Sequence, residues 1–167
     1  MHHRWTFRFA LAAWLAAWTA GCSAALPNEA TVRRVIDGDT VELTDGRLVR
    51  YLGIDTPELR RRVGDRWVVD PEPFSEAAAA ANTRLVEGRR IRLEYDVRTH
   101  DRFGRLLAYV YVGSQMVNAT LVEEGLARLM TIRPDVRYAE RLRELEEGAR
   151  RAHRGMWGSS SDGRRAL

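Results

Sequence analysis

The sequence predicts an α+β domain, in which a five-stranded Greek-key barrel of the OB type carries about three helices. Five short segments rich in Val, Leu, Ile and Thr are bounded by turn residues, as β-strands usually are. A stretch with helical periodicity lies between the third and the fourth of these segments. The length of 167 residues fits a single domain of this kind.

The first three predicted strands are joined as hairpins. They span residues 31–36, 40–43 and 47–54. The dipeptides Asp37-Gly38 and Asp45-Gly46 separate them, and Asp-Gly between two apolar runs is a strong hairpin signal. The segment that follows is polar and contains several Pro and Gly residues, so we expect a loop there: Pro57, Gly64, Pro71 and Pro73.

The first predicted helix covers residues 76–87. Ser75 is expected to cap its start, and Gly88 is expected to end it. Two further strands are expected at residues 90–95 and 106–112, which completes the set of five.

Two more helices are expected in the C-terminal part. Asn118 should cap a short helix that ends at Gly125, and a long helix should cover residues 135–153 after Pro134. The long helix carries an apolar stripe with spacings of four and three residues: Tyr138, Leu142, Leu145, Ala149 and Ala152.

Residues 1–21 have the pattern of an export leader. Arg4 and Arg8 make its start positive, and residues 9–20 carry no charge. That uncharged stretch is shorter than the ~20 apolar residues that a membrane span needs. We therefore expect the protein to be exported.

The leader ends in Thr-Ala-Gly-Cys, which resembles a bacterial lipoprotein cleavage box, although Leu is usual where Thr19 stands. We expect acylation of Cys22, which would anchor the protein to a membrane of the cell envelope. Cleavage near Ala20 or Ala24, giving a free secreted protein, is the alternative. The expected parts are a leader (1–21), a tether (22–30), one domain (31–158) and a disordered tail (159–167).

The composition excludes several kinds of site. All 27 basic residues are arginine, against 23 acidic residues. Two of these arginines lie in the leader, so the exported chain is only mildly basic, and its net charge alone does not indicate a nucleic-acid partner. The single cysteine excludes an internal disulfide framework and a Cys-based zinc site.

Two acidic turn segments are candidates for a metal site. If the second and third strands pair, Asp39 and Asp55 lie at the same end of that hairpin, where two carboxylates repel unless a cation lies between them. Such oxygen ligands suit Ca²⁺, or less well Mg²⁺. Pro57 favours an extended Thr56, whose carbonyl can then face the same ion. The alternative is that the aspartates are ordinary turn residues.

Two arginines and one further carboxylate accompany these acids. Arg50 lies in an apolar strand, so its charge must either pair with a structural acid or line a cleft. Arg105 closes a turn over residues 101–105, and Glu58 follows the second acidic segment. Together with a metal ion, these groups are what hydrolysis of a phosphodiester requires. The cations offset charge that grows at phosphorus, and the carboxylate acts on water.

Three separated motifs occur in a fixed order: Val-Ile-Asp-Gly-Asp-Thr at 35–40, Arg50 followed by Asp-Thr-Pro-Glu at 55–58, and Asp-Arg-Phe-Gly-Arg at 101–105. In this order they resemble the thermonuclease (staphylococcal nuclease) family, and the similarity extends from about residue 31 to residue 157. The resemblance implies an OB-type barrel with helices and a Ca²⁺-dependent activity on DNA and RNA. It also implies cleavage at the 5′ oxygen, which leaves 3′-phosphates.

By the same resemblance, the metal ligands are Asp39, Asp55 and Thr56, the phosphate is held by Arg50 and Arg105, and Glu58 acts on the attacking water. We also predict contacts to the nucleic-acid backbone, with a solvated basic loop as the alternative for the first three: Arg60, Arg61, Arg62 and Arg102. We expect a monomer.

The chain departs from the family pattern at two places. Phe103 stands where well-studied members have tyrosine, and residues 128–134 are one residue shorter than the tyrosine-bearing segment that flanks the base in those members. Base stacking should therefore be weaker or come from elsewhere in the chain. Two other functions remain open: an OB module that binds nucleic acid without cutting it, and a lipoprotein that only organises envelope partners.

Overall fold

The structure is a computed structural model that describes residues 25–158. The predicted leader, the acylation of Cys22 and the tail at 159–167 lie outside the described residues. The elements in chain order are β1 (Glu29–Asp37), β2 (Thr40–Leu43), β3 (Leu48–Tyr51), β4 (Ile54–Asp55), β5 (Arg60–Val63), β6 (Arg66–Val69), α1 (Ser75–Val86), β7 (Arg90–Glu94), β8 (Leu106–Val112), β9 (Gln115–Met116), α2 (Val117–Glu123), β10 (Arg128–Leu129) and α3 (Ala139–Arg151). No helix within residues 25–158 is both long and apolar enough to cross a membrane.

Five strands close into a barrel, and the predicted fold class is confirmed. The strand order is β3-β2-β1-β7-β8, and β3 also pairs in parallel with β8, with Val49 opposite Leu106 and Tyr51 opposite Ala108. The other four pairings in the barrel are antiparallel. Apolar side chains such as Val41 and Val49 are fully buried inside the barrel.

The third strand is shorter than predicted. It ends at Tyr51, and Gly53 then adopts a positive φ of 77° before β4 begins at Ile54. Glycine takes up this conformation without steric cost, so the chain can change direction here. The strand β4 leaves the barrel sheet and pairs with β10. The turn also brings Asp55 back to Arg50, with which it forms an ion pair.

Residues 60–69 form a hairpin arm, although the sequence predicts a loop there. The strands β5 and β6 pair from Arg60 opposite Val69 to Val63 opposite Arg66. Gly64 has a positive φ of 59°, which the first position of the favoured two-residue hairpin turns requires. Every residue of the two strands is exposed, so the arm lacks the buried face that makes a strand recognisable in a sequence.

Two predicted helix caps are wrong. The hydroxyl of Ser75 donates to the carbonyl of Glu72 (2.7 Å), and it does not accept from a backbone N–H of its own helix as a cap would. Asn118 lies inside α2 and is fully buried. Its side-chain oxygen accepts from the N–H of Val110 (2.8 Å), and its amide donates to the carbonyl of Leu52 (2.9 Å). Asn118 therefore joins the helix to the barrel.

Helix α1 is joined to the barrel in a similar way. The hydroxyl of Tyr51 donates to the side-chain oxygen of the buried Asn82 (2.9 Å). The Asn82 amide donates to the carbonyl of Asp37 (3.1 Å), at the end of β1. These two bonds fix the helix against the turn that joins β1 to β2.

The last helix begins four residues later than predicted. Asp135 is buried, and its carboxylate accepts from the backbone N–H (2.8 Å) and from the Nε (2.6 Å) of Arg98. Because this ion pair holds residue 135 in the preceding loop, α3 starts at Ala139. Within the predicted apolar stripe, Leu142 is fully buried, whereas Ala152 lies beyond the helix end and is exposed.

We expect Asn118→Ala to destabilise the fold more than any exposed polar substitution. The change leaves the N–H of Val110 and the carbonyl of Leu52 without partners, and each buried group left unsatisfied costs about 1–3 kcal/mol. Urea unfolding measures the loss. The control is Thr83→Ala on the exposed side of α1, which should change the free energy of unfolding by less than about 0.5 kcal/mol. Equal losses in both variants would contradict the structural role of Asn118.

Candidate active site

An arginine lies between two aspartates at one end of the β2–β3 hairpin. Asp39 is fully buried, and its Oδ1 contacts the guanidinium of Arg50. The same guanidinium donates to Oδ1 of Asp55 at 2.6 Å. The Arg50 side chain is 14% exposed, so water screens these contacts only partly. Asp39 and Asp55 are thus brought together as predicted, with the Arg50 guanidinium as the cation between them.

Strand register brings these groups together. Thr40 of β2 lies opposite Arg50 of β3, and the N–H of Tyr51 donates to the carbonyl of Asp39 (2.9 Å). The backbone N–H of Thr56 donates to Oδ2 of Asp39 at 3.0 Å. Three segments that are separate in the sequence therefore meet at one buried carboxylate.

Gly38 lets the β1–β2 turn approach the rest of the site. A Cβ atom at this position would lie 2.6 Å from Oγ1 of Thr56 and 2.8 Å from the Cβ of Ala78. Neither neighbour can move easily, because Thr56 and Ala78 are both buried. Glycine is therefore required for the turn to sit against Thr56 and helix α1.

Asp37 adds a further carboxylate beside Arg50. Its Oδ1 accepts from the N–H of Asp39 (3.1 Å). Burial raises the pKa of Asp37 above its ordinary value, and the positive charge of Arg50 opposes this rise. Asp37 is not among the site residues predicted from the sequence, because an aspartate before glycine is an ordinary turn residue.

The donor set has the chemistry that a hard divalent cation requires, because carboxylate oxygens predominate in it. Within residues 25–158, however, no three His, Cys, Asp or Glu side chains are arranged to enclose a metal ion. The carboxylates of Asp39 and Asp55 converge on Arg50 instead. The ligand types therefore fit Ca²⁺, and Arg50 neutralises the two aspartates in this structure.

Glu58 borders the cleft beside this cluster. Partial burial of its carboxyl raises its pKa, the negative charge of Asp37 adds to the rise, and Arg50 opposes it. The backbone N–H of Glu58 donates to the carboxylate of Glu72 (3.2 Å), which holds this part of the loop. A carboxylate with a raised pKa is better suited to accept a proton near neutral pH.

Arg105 reaches the same cleft from the turn between β7 and β8. Its Nε donates to Oδ2 of Asp101 (2.7 Å), and its backbone N–H donates to Oδ1 of Asp101 (3.0 Å). Gly104 supplies the positive φ of 79° that this tight turn contains. The guanidinium carbons of Arg102 and Arg105 lie 4.7 and 5.6 Å from the centroid of the exposed Phe103 ring.

A cleft of about 620 Å³ joins these parts. Arg50, Glu58 and Arg105 all border it. Asp39, Asp55 and Thr56 are not among its lining residues, but the two aspartates contact Arg50 and the Thr56 N–H binds Asp39. Several residues that border the cleft are not among the site residues predicted from the sequence: Asp37, Arg98, Met130, Ile132 and Asp135. Trp67, which lies in the same basic segment as Arg60, also borders the cleft.

The three consecutive arginines of β5 have different surroundings. Arg60 borders the cleft. Arg61 forms an ion pair with Asp70, and the Nε of Arg62 donates to the carbonyl of Gly64 at 3.0 Å. Because side chains alternate along a strand, Arg60 and Arg62 share one face of the arm and Arg61 lies on the other. The basic run is thus part of an ordered hairpin.

Fold and site together define an OB-type barrel domain with a charged cleft, a class of domain that commonly binds oligonucleotides or oligosaccharides. The chain belongs to the staphylococcal nuclease family, because the model of staphylococcal nuclease homologues matches residues 48–159. The resemblance seen in the three motifs is thereby confirmed.

Individual relatives agree with this assignment. The chain is 37% identical over 146 residues to the thermonuclease of Staphylococcus hyicus, which covers 83% of this chain and 81% of that protein. It is 36% identical over 133 residues to the thermonuclease of Staphylococcus intermedius, covering 75% and 74%. It is 38% identical over 135 residues to endonuclease YncB of Bacillus subtilis (strain 168), covering 78% and 62%.

We expect Arg50→Ala to lower stability in the absence of divalent ions. The change leaves the fully buried Asp39 without its cationic partner, and breaking a buried pair from one side costs about 3–5 kcal/mol. Urea unfolding in the presence of a chelator measures the cost. The control is Arg90→Ala, which breaks an exposed ion pair with Glu29 and should cost less than about 1 kcal/mol.

A second substitution tests the cause. Asp39→Asn in the Arg50→Ala background should restore part of the lost stability, because the unpaired buried charge is then gone. If the double variant is as unstable as the sum of the two single variants, Arg50 stabilises the fold through packing rather than through its charge.

Proposed function

We propose that the protein is a Ca²⁺-dependent nuclease that hydrolyses phosphodiester bonds of DNA, RNA or both with little sequence specificity. Cleavage of the bond between phosphorus and the 5′ oxygen would leave 3′-phosphates. The observation that carries the proposal is that Arg50, Glu58 and Arg105 border one cleft in a chain of the staphylococcal nuclease family. The printed names of its relatives, thermonuclease and endonuclease, agree with this activity.

In this proposal one Ca²⁺ is held by Asp39, Asp55 and the carbonyl of Thr56. Their oxygen donors are the type that Ca²⁺ prefers, and the carboxylates of the first two both contact the Arg50 guanidinium. When bound, the ion would supply positive charge that stabilises the phosphate oxygens during hydrolysis.

Side chains of the protein bind the phosphate and activate the attacking water. The guanidiniums of Arg50 and Arg105 bind the phosphate and offset the charge that develops on it. Glu58 orients a water molecule and accepts its proton as the water oxygen attacks phosphorus. The 5′ oxygen then leaves with the electron pair of the broken P–O bond.

Further arginines are suited to bind neighbouring phosphates of the strand. Arg60 and Arg62 share one face of the hairpin arm, and Arg102 lies in the turn beside Arg105. Arg61 is paired with Asp70, so its contact to nucleic acid requires that this exposed pair opens. Contacts of this type are independent of sequence, which fits a nuclease with little specificity.

The test is cleavage of single-stranded DNA with Ca²⁺ or with a chelator. We expect cutting only with Ca²⁺, and products that a polymerase extends only after a phosphatase has removed 3′-phosphates. Glu58→Gln should lower kcat by about a hundredfold to ten-thousandfold because it removes the proton acceptor, while the Ca²⁺ concentration for half-maximal activity stays similar.

The matched control is Glu76→Gln, an exposed acid in the first turn of α1, which should keep full activity. Wild-type cutting in the chelator, or full activity of Glu58→Gln, would contradict the proposal. A folded wild-type chain that binds single-stranded DNA and never cuts it would instead support the binding module.

We also propose that the protein acts outside the cytoplasm as an acylated lipoprotein of the cell envelope. The support is the leader pattern of residues 1–21 and the single cysteine directly after it. In the host bacterium, Cys22→Ser should move the protein from the membrane fraction to the soluble exported fraction, because the acylated thiol is lost. Fractionation followed by immunoblotting measures this, and Ser23→Ala is the control. Equal membrane recovery of wild type and Cys22→Ser would contradict acylation.

A further inference from the structure

Trp67 on the hairpin arm is a large aromatic side chain whose position is not explained by packing among the described residues. It is 68% exposed, and it borders the same cleft as Arg50 and Glu58. Among the described residues, no aromatic ring and no guanidinium stacks on its indole. Burial in the fold therefore does not account for this ring.

The surroundings of Trp67 are basic. It lies directly opposite Arg62 across the arm, and Arg60 lies opposite Val69 in the same ladder. Residues that oppose each other in an antiparallel pair point to the same face, so Arg60, Arg62 and Trp67 share one face. Arg60 borders the cleft beside Trp67, and within residues 25–158 it forms no ion pair. This face combines an open ring with an available guanidinium.

The other exposed ring that borders the cleft, Phe103, has different surroundings. The Phe103 ring is engaged by the guanidiniums of Arg102 and Arg105. The segment 128–134 contains no aromatic residue, and its contributions to the cleft are Met130 and Ile132. Of the two exposed rings that border the cleft, Trp67 is thus the one with no guanidinium beside it among the described residues.

We propose that Trp67 and Arg60 form a binding subsite for one nucleotide of a single strand. The base stacks on the indole, and the adjoining phosphate pairs with Arg60. A base can stack in this way only when it is unpaired, and any base has a face to offer. The subsite therefore favours single-stranded over duplex nucleic acid without selecting a sequence. The inference rests on the proposed nuclease function, and it names the class of substrate.

The first experiment measures KM for cleavage of oligothymidylate and of a duplex of the same length, both with Ca²⁺. We expect Trp67→Ala to raise KM for the single strand by about 5- to 100-fold, which corresponds to the usual contribution of one stacked base. KM for the duplex should change far less. Trp67→Phe keeps a ring and should recover most of the loss. The control is Val68→Ala, an exposed neighbour on the opposite face of the arm, which should behave as wild type.

The second experiment needs no cleavage. With a chelator present, oligothymidylate should quench the tryptophan fluorescence of the wild-type chain, and Trp67→Phe should abolish this quenching. An oligonucleotide of the same length with abasic sites keeps the phosphates but lacks the bases, so it should quench weakly. This readout also serves if Trp67→Ala fails to fold.

The outcomes separate the two proposals. If Trp67→Ala raises KM equally for single strand and duplex, or if the abasic strand quenches as strongly as oligothymidylate, the stacking subsite is wrong while the nuclease function stands. If the wild-type chain cuts neither substrate with Ca²⁺, the nuclease function is wrong. Quenching that depends on the bases would then still support the subsite.

Discussion

The buried charge of Asp39 is the constraint on which the site depends. An ionised carboxylate in the protein interior is unfavourable unless cations and donors surround it. Asp39 contacts the guanidinium of Arg50 and accepts from the Thr40 hydroxyl and the Thr56 N–H. These groups come from β2, β3 and the segment after β4, so satisfying one carboxylate fixes the relative positions of three segments. The positions of Asp55 and Glu58 follow, because both flank Thr56 in the chain.

The same arrangement relates charge balance to ligand binding. In this structure Arg50 neutralises Asp39 and Asp55. This pairing occupies guanidinium N–H groups that could otherwise donate to a phosphate. A divalent cation held by the two aspartates would weaken their attraction for Arg50 and leave its guanidinium available. Metal binding and phosphate binding at this site would then favour each other, as coupled binding events do. In the proposed function, these two roles together would account for an arginine in a strand that is otherwise apolar.

Much of the barrel could be predicted from the sequence. Along its strands apolar and polar residues alternate or apolar residues run without interruption, and Asp-Gly turns separate the first three strands. The hairpin arm at 60–69 could not, since none of its strand residues is buried and pairing alone leaves no hydrophobic pattern. The predicted starts of the last two helices also differ from the structure, because Asn118 and Asp135 are each held by a distant partner. In the site, pairing of the second and third strands was enough to predict that Asp39 and Asp55 lie at the same end of the hairpin. The position of the Arg50 guanidinium was left open because strand alternation does not specify its partner.

The arginines of α3 and those around the cleft differ in how they are paired with acidic residues. On α3, Arg143 pairs with Glu140 and Glu147, and Arg150 pairs with Glu146, so the many arginines of this helix are largely neutralised by neighbours one turn away. Around the cleft the pairing of arginines with acids is less complete. Arg60 forms no ion pair within residues 25–158, and Arg105 pairs with Asp101 through its Nε. Four arginines and four acidic residues border the cleft, so its attraction for an anionic strand depends on guanidiniums that lack a carboxylate partner rather than on a net positive charge. Within residues 25–158 the Arg60 guanidinium is such a group, and its field is not cancelled by a paired acid one turn away as on α3.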